Sequence, residues 1–395
     1  MKTVFTALLT IILSFSGYTQ WTSQTSGTNK SLFTVCFTDS LVGYAAGSNG
    51  TIIKTSNGGQ TWTILNSGIT SQINSIYFTD ANSGYAVGVH GVILKTNDAG
   101  NNWVSIPSGT MEDLWSIYFI GSEIGHIAGT FTILSTNNAG TTWTKQDVGI
   151  QYPLSIFYTD INTGYIVGGS GRMLKTTNGG ISWSTLSIIT IHTLYSIFFT
   201  DSNTGYVVGE SGTILKTING GKNWSFLSSG TSHLLHSVYF TSANTGYAVG
   251  GGYNSGLILK TVNGGVNWEE SLSKASEGLE SIYFVDENIG YAVGDKGIIV
   301  KTTSGGTGNS NSLDPLQQID SQNLSIYPNP VTQKLYFKNL VGPAMVEIYN
   351  YEGKLLIRGN DVENCIDVES LTSGLYFIKT TDQHKLLINK IFIKQ

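Results

Sequence analysis

The sequence contains little proline, little cysteine and few charged residues. Its 395 residues include 6 Pro, 2 Cys and 12% charged side chains, with a formal net charge of −5. Two cysteines do not build a disulfide framework, and we place Cys36 in a buried strand and Cys365 in a separate domain, unbridged. The negative charge and the lack of a polybasic tract argue against nucleic acid as a partner, since phosphate binding needs a basic face. Any membrane contact is expected only through attachment at a surface.

Long hydrophobic runs are also scarce, and the one that approaches such length lies at the N-terminus. Lys2 precedes an apolar stretch from Val4 to about Phe15, and small and polar residues follow. A short positive segment, an apolar core and a small-residue boundary are typical of a secretory signal peptide. We predict a signal peptide over residues 1–19, with an uncleaved anchor as the alternative.

Glycine and aromatic residues are plentiful, and they recur at a fixed spacing. Six tryptophans lie 40 to 44 residues apart: Trp62, Trp103, Trp143, Trp183, Trp224 and Trp268. A Gly-aromatic pair marks seven copies of the same unit, from Gly43-Tyr44 to Gly290-Tyr291. Each unit carries four short strand signals such as "SIYFTD", "GYAVG", "TILKT" and "WTILNSG". This period with four strands per unit is typical of propeller blades.

The seventh unit ends in "KTTSGGTGN" at residues 301–309, where the other six units continue to a tryptophan. The missing piece occurs at residues 20–27 as "QWTSQTSG", where Trp and Ser-Gly match "TWTILNSG" at 61–68. We therefore predict that this N-terminal strand completes the last blade and covers its open edge. The expected fold is all-β, with a seven-bladed β-propeller over residues 20–306.

A turn motif, T-x-[N/D]-x-G-x-x-W, recurs between the third and fourth strand signals of the repeat. Its Asn or Asp can accept backbone N–H groups two residues on, and its Gly supplies a positive φ. The motif resembles the Asp-box of bacterial neuraminidase-type repeats, and we interpret it as scaffold. Its acceptor positions are Asn57, Asp98, Asn138, Asn178, Asn219 and Asn263.

With "GYAVG" and "ILKTxNGGxxW", the unit resembles the repeat of the photosystem II assembly factor family over about residues 20–306. The resemblance implies a propeller and, in that family, a basic patch for partner binding. This propeller departs from that pattern because its single arginine is Arg172. We therefore transfer the fold and not the activity.

The C-terminal region has a different pattern. Residues 307–323 have the composition of a linker, and residues 324–395 carry strand signals that suit a small Ig-like β-sandwich. This segment resembles the type IX secretion C-terminal sorting domain of Bacteroidetes. The matching residues are Tyr327, Pro328, Asn329, Pro330, Gly374, Tyr376, Lys390 and Lys394. The resemblance implies export by the type IX machinery to the outer cell surface or beyond; an ordinary adhesion module is the alternative.

Catalytic signatures are few, and we expect neither a cofactor nor a metal. A sialidase-type site needs several arginines around the sugar carboxylate, and one arginine cannot supply them. A glycoside hydrolase with two opposed carboxylates stays open, because sequence does not place unrepeated acids such as Glu280 and Asp295. An enzyme is therefore less expected than a binding protein.

One position varies inside an otherwise constant frame, just before the Ser of "SIYF" in the innermost strand signal. It reads Phe33, Asn74, Trp115, Leu154, Tyr195, His236 and Glu280. We predict that these side chains ring the mouth of the central channel, joined by Arg172 and Asp295 from variable hairpins. Aromatic anchors with convergent polar groups indicate a ligand site. The leading hypothesis is glycan or protein binding at the cell surface; the alternatives are an Asp-box hydrolase and a structural assembly factor of the envelope.

Overall fold

A computed structural model describes residues 21–306, apart from 150, 253, 272 and 274. It also describes residues 325–394, apart from 339–343, 351–353 and 383–384. The chain divides into two compact units between residues 310 and 311. The predicted signal peptide (1–19) and linker (307–323) lie outside the described residues. Among those described, none belongs to a helix with the length and hydropathy of a membrane span.

The first unit consists of seven antiparallel sheets of four strands each, numbered here in chain order and called blades 1 to 7. The first strands of the blades are β2 (Leu32–Phe37), β6 (Ile73–Phe78), β10 (Leu114–Ile120), β14 (Pro153–Tyr158), β18 (Leu194–Phe199), β22 (Leu234–Phe240) and β26 (Leu279–Phe284). The second strands are β3 (Gly43–Gly47), β7 (Gly84–Gly88), β11 (Ile124–Gly129), β15 (Gly164–Gly168), β19 (Gly205–Gly209), β23 (Gly246–Gly252) and β27 (Gly290–Gly294).

The outer strands are shorter. The third strands are β4 (Ile52–Thr55), β8 (Ile93–Thr96), β12 (Thr132–Thr136), β16 (Met173–Thr176), β20 (Ile214–Thr217), β24 (Ser255–Thr261) and β28 (Ile299–Thr302). The fourth strands are β5 (Thr63–Leu65), β9 (Val104–Ser105), β13 (Thr144–Gln146), β17 (Ser184–Thr185), β21 (Ser225–Leu227), β25 (Glu269–Glu270) and, for blade 7, β1 (Thr22–Gln24). In five blades a 3₁₀ turn joins the second and third strands: Ser48–Gly50, Val89–Gly91, Gly169–Gly171, Glu210–Gly212 and Asp295–Gly297.

The first strands contact one another in succession, and β26 returns to β2, so the ring is closed. Closure follows the predicted route: β1 pairs antiparallel with β28, with Thr22 opposite Lys301. Trp21 is fully buried and packs edge-on against Phe284 of the same blade at 5.8 Å. The six repeat tryptophans make the same contact with an aromatic residue at the end of the first strand of their own blades or, in blade 3, one residue before that end. The seven-bladed propeller and its N-terminal closing strand are confirmed.

Neighbouring blades are joined by aromatic stacking. At the closing junction, the ring of Tyr291 from blade 7 stacks on Phe37 of blade 1 with centroids 4.2 Å apart. The Tyr291 hydroxyl and Lys301 Nζ also donate to one turn carbonyl, that of Gly58, at 2.8 and 2.6 Å. The repeated "GY" and "KT" pairs therefore serve the junctions between blades, and stacked aromatic pairs stabilise such contacts beyond their buried area.

The turn motif is a local hydrogen-bonded unit, as expected of scaffold. Asn57 Oδ1 accepts the backbone N–H of Thr61 at 2.9 Å, four residues on rather than the two expected. Thr55 Oγ1 accepts the N–H of Gly59 at 2.9 Å and donates to Asn57 Oδ1. The N–H two residues after Asn57, that of Gly59, thus bonds to the threonine of the motif, a role that the sequence prediction did not assign to this residue. The other five acceptors bond the same way: Asp98, Asn138, Asn178, Asn219 and Asn263.

The buried threonine of this turn gives a testable prediction. Thr96, 1% exposed, accepts the N–H of Gly100 at 2.9 Å. Thr96→Val leaves that buried N–H unpaired, and we expect the free energy of unfolding to fall by about 1–3 kcal/mol. Urea denaturation of Thr96→Val beside Thr144→Val, a change at an exposed strand residue, checks this. Equal midpoints for the two variants would contradict it.

The second unit is a sandwich of two antiparallel sheets. One sheet contains β29 (Ser325–Tyr327), β30 (Lys334–Lys338) and β33 (Cys365–Asp367), and the other contains β31 (Ala344–Tyr349), β32 (Leu355–Val362), β34 (Gly374–Asp382) and β35 (Lys385–Lys394). Both sheets contribute to one core, for example Leu335 from the first and Ile378 and Phe392 from the second. The small β-sandwich is thereby confirmed. Both cysteines are free thiols.

Candidate functional site

The variable position of the first strand is the extra residue of a β-bulge in every blade. In blade 1, Leu32 pairs with Gly47 and Thr34 with Ala46, so Phe33 between them has no partner in β3. We call these seven residues the bulge ring: Phe33, Asn74, Trp115, Leu154, Tyr195, His236 and Glu280. All seven are half-buried. Bulges re-aim side chains and often lie next to functional sites.

The sequence carries a signal for the bulges, which is a break in the alternation of apolar residues along each first strand. Buried residues of a regular half-buried strand alternate, with a spacing of two. In β6 the buried apolar positions Ile73 and Ile76 are three apart, and Phe78 follows two later. The same spacing of three and then two occurs in the other first strands. This break in the alternation marks the inserted residue.

The bulge residues of blades 5, 6 and 7 are in contact. The rings of Tyr195 and His236 meet edge to face with centroids 5.1 Å apart. His236 Nδ1 and Glu280 Oε2 lie 2.6 Å apart. Glu210, from the 3₁₀ turn of blade 5, accepts the Tyr195 hydroxyl at 3.3 Å and the backbone N–H of Thr193 at 2.8 Å. The structure thus brings three residues of the bulge ring into one network with Glu210, which belongs to one of the variable hairpins.

The electrostatics of this network are set by Glu210 and by burial. Burial and the neighbouring Glu210 carboxylate raise the pKa of Tyr195 to about 12, so its hydroxyl stays a donor. The backbone N–H of Thr193 lowers the pKa of Glu210, which therefore stays a carboxylate. The arrangement offers carboxylate acceptors and an aromatic face side by side, which suits a ligand with both hydroxyl or amine donors and an apolar surface.

The bulge residues of blades 1 to 4 make a different half of the ring. Asn74 Nδ2 donates to the carbonyl of Leu114 at 2.8 Å, and Trp115 Nε1 donates to Thr130 Oγ1 at 3.0 Å. Phe33 and Leu154 contribute apolar surface. This half is mainly apolar and aromatic, whereas the half formed by blades 5 to 7 is polar.

The two hairpin residues predicted for the site differ in their surroundings. Asp295 Oδ1 accepts the hydroxyl of Ser31 at 3.0 Å, which ties the blade 7 hairpin to the loop before β2. Arg172 is exposed directly after the 3₁₀ turn of blade 4. No hydrogen bond or ring contact among the described residues joins Arg172 to the bulge ring, so the structure does not draw it into that network.

A belt of aromatic rings, which the sequence prediction missed, lies three residues along each first strand from the bulge ring. Successive ring centroids are 5.1–5.7 Å apart from blade 2 to blade 7. The members are Tyr77, Tyr118, Phe157, Phe198, Tyr239 and Tyr283. Cys36 occupies the position in blade 1, and burial raises the pKa of its thiol to about 12. The belt and this protonated thiol form an apolar zone within the ring of first strands.

The opposite face of the propeller carries the motif turns and the turns between first and second strands. Backbone bonds join them, such as that from the N–H of Gly58 to Leu41 O. The side chains on this face differ between blades. Exposed aliphatic side chains concentrate in blades 4 to 6: Ile161, Ile181, Ile218, Val262 and Val266. The positions of Ile181 and Ile218 hold Gln60 and Ser56 in blade 1.

In the second unit, the separated sorting motifs meet at the last strand. Asn329 Oδ1 accepts the backbone N–H of Ile393 at 2.9 Å, and the N–H of Val331 donates to Ile393 O at 2.8 Å. Tyr376 stacks on Phe392 with centroids 5.6 Å apart. The remaining motif residues lie at the same strands or beside them: Tyr327 stacked on Tyr336, Pro328 and Pro330 flanking Asn329, Gly374 opposite Lys394, and Lys390 opposite Ile378.

These observations define the class of protein as a seven-bladed β-propeller of Asp-box-type repeats joined to a sorting domain. Residues 325–394 match the family model described as Secretion system C-terminal sorting domain. That match indicates export by type IX secretion to the cell surface or beyond, and hence interaction with the secretion machinery.

The propeller identifies the family. Residues 14–107, 62–155, 146–229 and 181–270 match the model described as Photosynthesis system II assembly factor YCF48. Together these segments cover more than half of the chain, so the chain belongs to this family. A search among curated proteins found no match.

Solved structures share the fold. The chain is 22% identical to "YCF48 bound to D1 peptide", with a TM-score of 0.63, covering 73% of this chain and 98% of that one. PorZ, a surface component of the type IX secretion system of Porphyromonas gingivalis, is 13% identical with a TM-score of 0.57, covering 94% of this chain and 60% of that one. A GH74 xyloglucanase from Xanthomonas campestris is 13% identical with a TM-score of 0.58, covering 72% and 53%. At these identities the likeness shows the fold alone.

Proposed function

We propose that the protein is an exported, non-catalytic binding protein whose propeller takes its ligand at the bulge ring. The observation that carries this proposal is the combination of constant backbone and variable side chain. Every blade has the same bulge, and yet the seven side chains it presents differ in size, charge and hydrogen bonding. A position that served only the fold would hold similar residues in all blades, as the stacked tyrosines do.

The burial of the ring supports the same function. The bulge residues are half-buried, whereas the apolar residue before each of them in the first strand is fully buried, for example Leu32 and Ile73. Partly exposed aromatic residues such as Trp115 and Tyr195 are the side chains that dominate recognition surfaces. The carboxylates of Glu210 and Glu280 add directional acceptors at the edge of these rings.

The relatives differ in what they bind or do, so the likeness to them does not identify the ligand of this protein. One solved relative is described as bound to a peptide, another as a xyloglucanase, and PorZ as a surface component of the secretion system. A glycan or a protein at the cell surface is therefore the proposed ligand. Hydrolysis and an envelope assembly role are treated as competing outcomes of the test.

The test uses the full exported chain on a glycan array and, in parallel, in cross-linking to surface proteins on intact cells. Each arm includes Trp115→Ala and Tyr195→Ala. We expect one ligand class to bind the parent protein and to lose binding in both variants. Polysaccharide hydrolysis that disappears in Glu280→Gln would replace the proposal with a hydrolase. Ligand binding that both ring variants retain would overturn the assignment of the site.

A further inference from the structure

Six of the seven blade junctions share one polar arrangement, and the junction between blades 3 and 4 lacks it. At the junction of blades 2 and 3, the Tyr85 hydroxyl and Lys95 Nζ both donate to the carbonyl of Ala139 at 2.8 Å. The equivalent pairs donate to one carbonyl at the other five junctions. In blade 3 these two positions hold His126 and Ser135, which bond to each other, Nδ1 to Oγ, at 2.9 Å.

Besides His126 and Ser135, a third residue at this junction differs from the repeat. His126 stacks on Tyr158 of blade 4, with ring centroids 4.5 Å apart, where the other six junctions have phenylalanine. His126 is 2% exposed and Tyr158 is 3% exposed. In the described part of the chain, neither His126 Nε2 nor the Tyr158 hydroxyl has a hydrogen-bond partner. Buried polar atoms are nearly always paired in folded proteins. The Nε1 atoms of the six repeat tryptophans are also unpaired, but they recur from blade to blade, whereas these two atoms have no counterpart at the other junctions in the described part of the propeller.

Among the described residues, none that faces His126 carries a charge that would balance a positive one. The residues that face it are Tyr118 from β10, Ser135 from β12, Tyr158 from β14 and Gly180 from the blade 4 turn. None of them is a carboxylate, and both tyrosines are neutral in acid, since burial only raises a pKa that is already well above neutral. An imidazolium there would hold a buried charge and an unpaired N–H at Nε2, which is strongly unfavourable.

We propose that the junction between blades 3 and 4 is an acid-sensitive seam, at which the propeller ring opens first when His126 takes up a proton. The other junctions do not share this sensitivity because each holds a tyrosine and a lysine at the same positions. The seam lies within the folded ring and is distinct from the bulge ring, so the inference does not depend on the proposed ligand site.

The direction of the pH effect follows from burial. Burial lowers the pKa of His126 to about 4, against roughly 6.5 for an exposed histidine. Between these values the unfolded chain binds more protons than the folded chain, so stability falls as the pH falls through this window. The difference between the two pKa values corresponds to a loss of roughly 10²-fold in the folding equilibrium, and this loss is nearly full at about pH 4.

The test compares the full chain with a repaired variant, His126→Tyr/Ser135→Lys/Tyr158→Phe, which restores the repeat at this junction. Chemical denaturation is measured at pH 7 and at pH 4.5, and hydrogen exchange is compared between variants at each pH. We expect the parent to lose roughly 10-fold to 10²-fold more in its folding equilibrium on acidification than the repaired variant. Acid-enhanced exchange in the parent should begin in β11 and β14.

Two further variants keep the test decisive. His126→Phe cannot take up a proton, so it should lose the acid sensitivity even if the repaired variant does not fold. The matched change at the neighbouring junction, Tyr85→His/Lys95→Ser/Phe119→Tyr, should create a second acid-sensitive seam. Equal acid sensitivity of the parent and His126→Phe, or exchange that begins at another junction, would overturn the proposal.

Discussion

Deletion of residues 21–27 is expected to open the propeller and to cost more stability than any single substitution in the repeats. The deletion removes the fourth strand of blade 7 and leaves the edge of β28 unpaired. It also removes Trp21, which is fully buried among Tyr247, Phe284 and other residues of blades 6 and 7. Truncating a buried tryptophan alone costs about 3–5 kcal/mol.

The closing strand also contributes a polar contact between blades 6 and 7. Trp21 Nε1 donates to Ser271 Oγ at 3.1 Å, and the Ser271 hydroxyl donates to Gly306 O at 3.1 Å. Thermal unfolding of the deletion beside Trp103→Ala separates closure from tryptophan packing, because Trp103 lies in an internal blade and its loss leaves the ring connected. The deletion should lower the midpoint far more. An unchanged midpoint would show that the stability of the ring does not depend on the N-terminal strand.

Asn329→Ala is expected to stop export and to leave the protein in the periplasm. The Asn329 side chain accepts the N–H of Ile393, and Val331 pairs with the same residue, so this segment holds the end of β35. Without the side-chain acceptor the last strand loses a tie at its final residues, and termini that are not tied down become poorly ordered. The sorting domain would then present a different C-terminal strand to the secretion machinery.

Fractionation of cells into periplasm, outer membrane and medium measures this effect. Asn329→Asp is the matched control, because an aspartate oxygen can still accept the Ile393 N–H, and its export should stay near the parent level. Parent-level export of Asn329→Ala would mean that the tie to Ile393 is not needed for sorting.

The architecture could be predicted because its signals are local and repeat seven times. The tryptophan spacing and the Gly-Tyr pairs mark each blade in the sequence. The N-terminal stretch "QWTSQTSG", which matches a fourth strand without a blade before it, indicates how the ring closes. The sandwich and the sorting motif were predicted from residues such as Asn329 and Tyr376. The structural role of the motif could not be predicted, because Asn329 contacts Ile393 only in the folded domain.

The candidate site could be predicted only as a set of positions. The repeats show which residue varies, and the broken alternation marks it as the inserted residue of a bulge, but neither shows which of these residues contact one another. The contact between His236 and Glu280 depends on the distance between neighbouring blades, which no spacing in the sequence contains. Arg172 was grouped with the ring because its hairpin varies, and the structure leaves it exposed and outside the network.

The affinity of ring variants for the ligand decides whether the bulge ring is the binding site. The ligand found in the screen would be titrated into the full chain, Trp115→Ala, Tyr195→Ala and the control Ile181→Ala, an exposed change on the opposite face. If the bulge ring is the binding site, both ring variants should bind at least about 10-fold more weakly, as anchor residues do, and the control should bind like the parent. Parent-like affinity in both ring variants, or a loss confined to Ile181→Ala, would show that the ligand binds elsewhere.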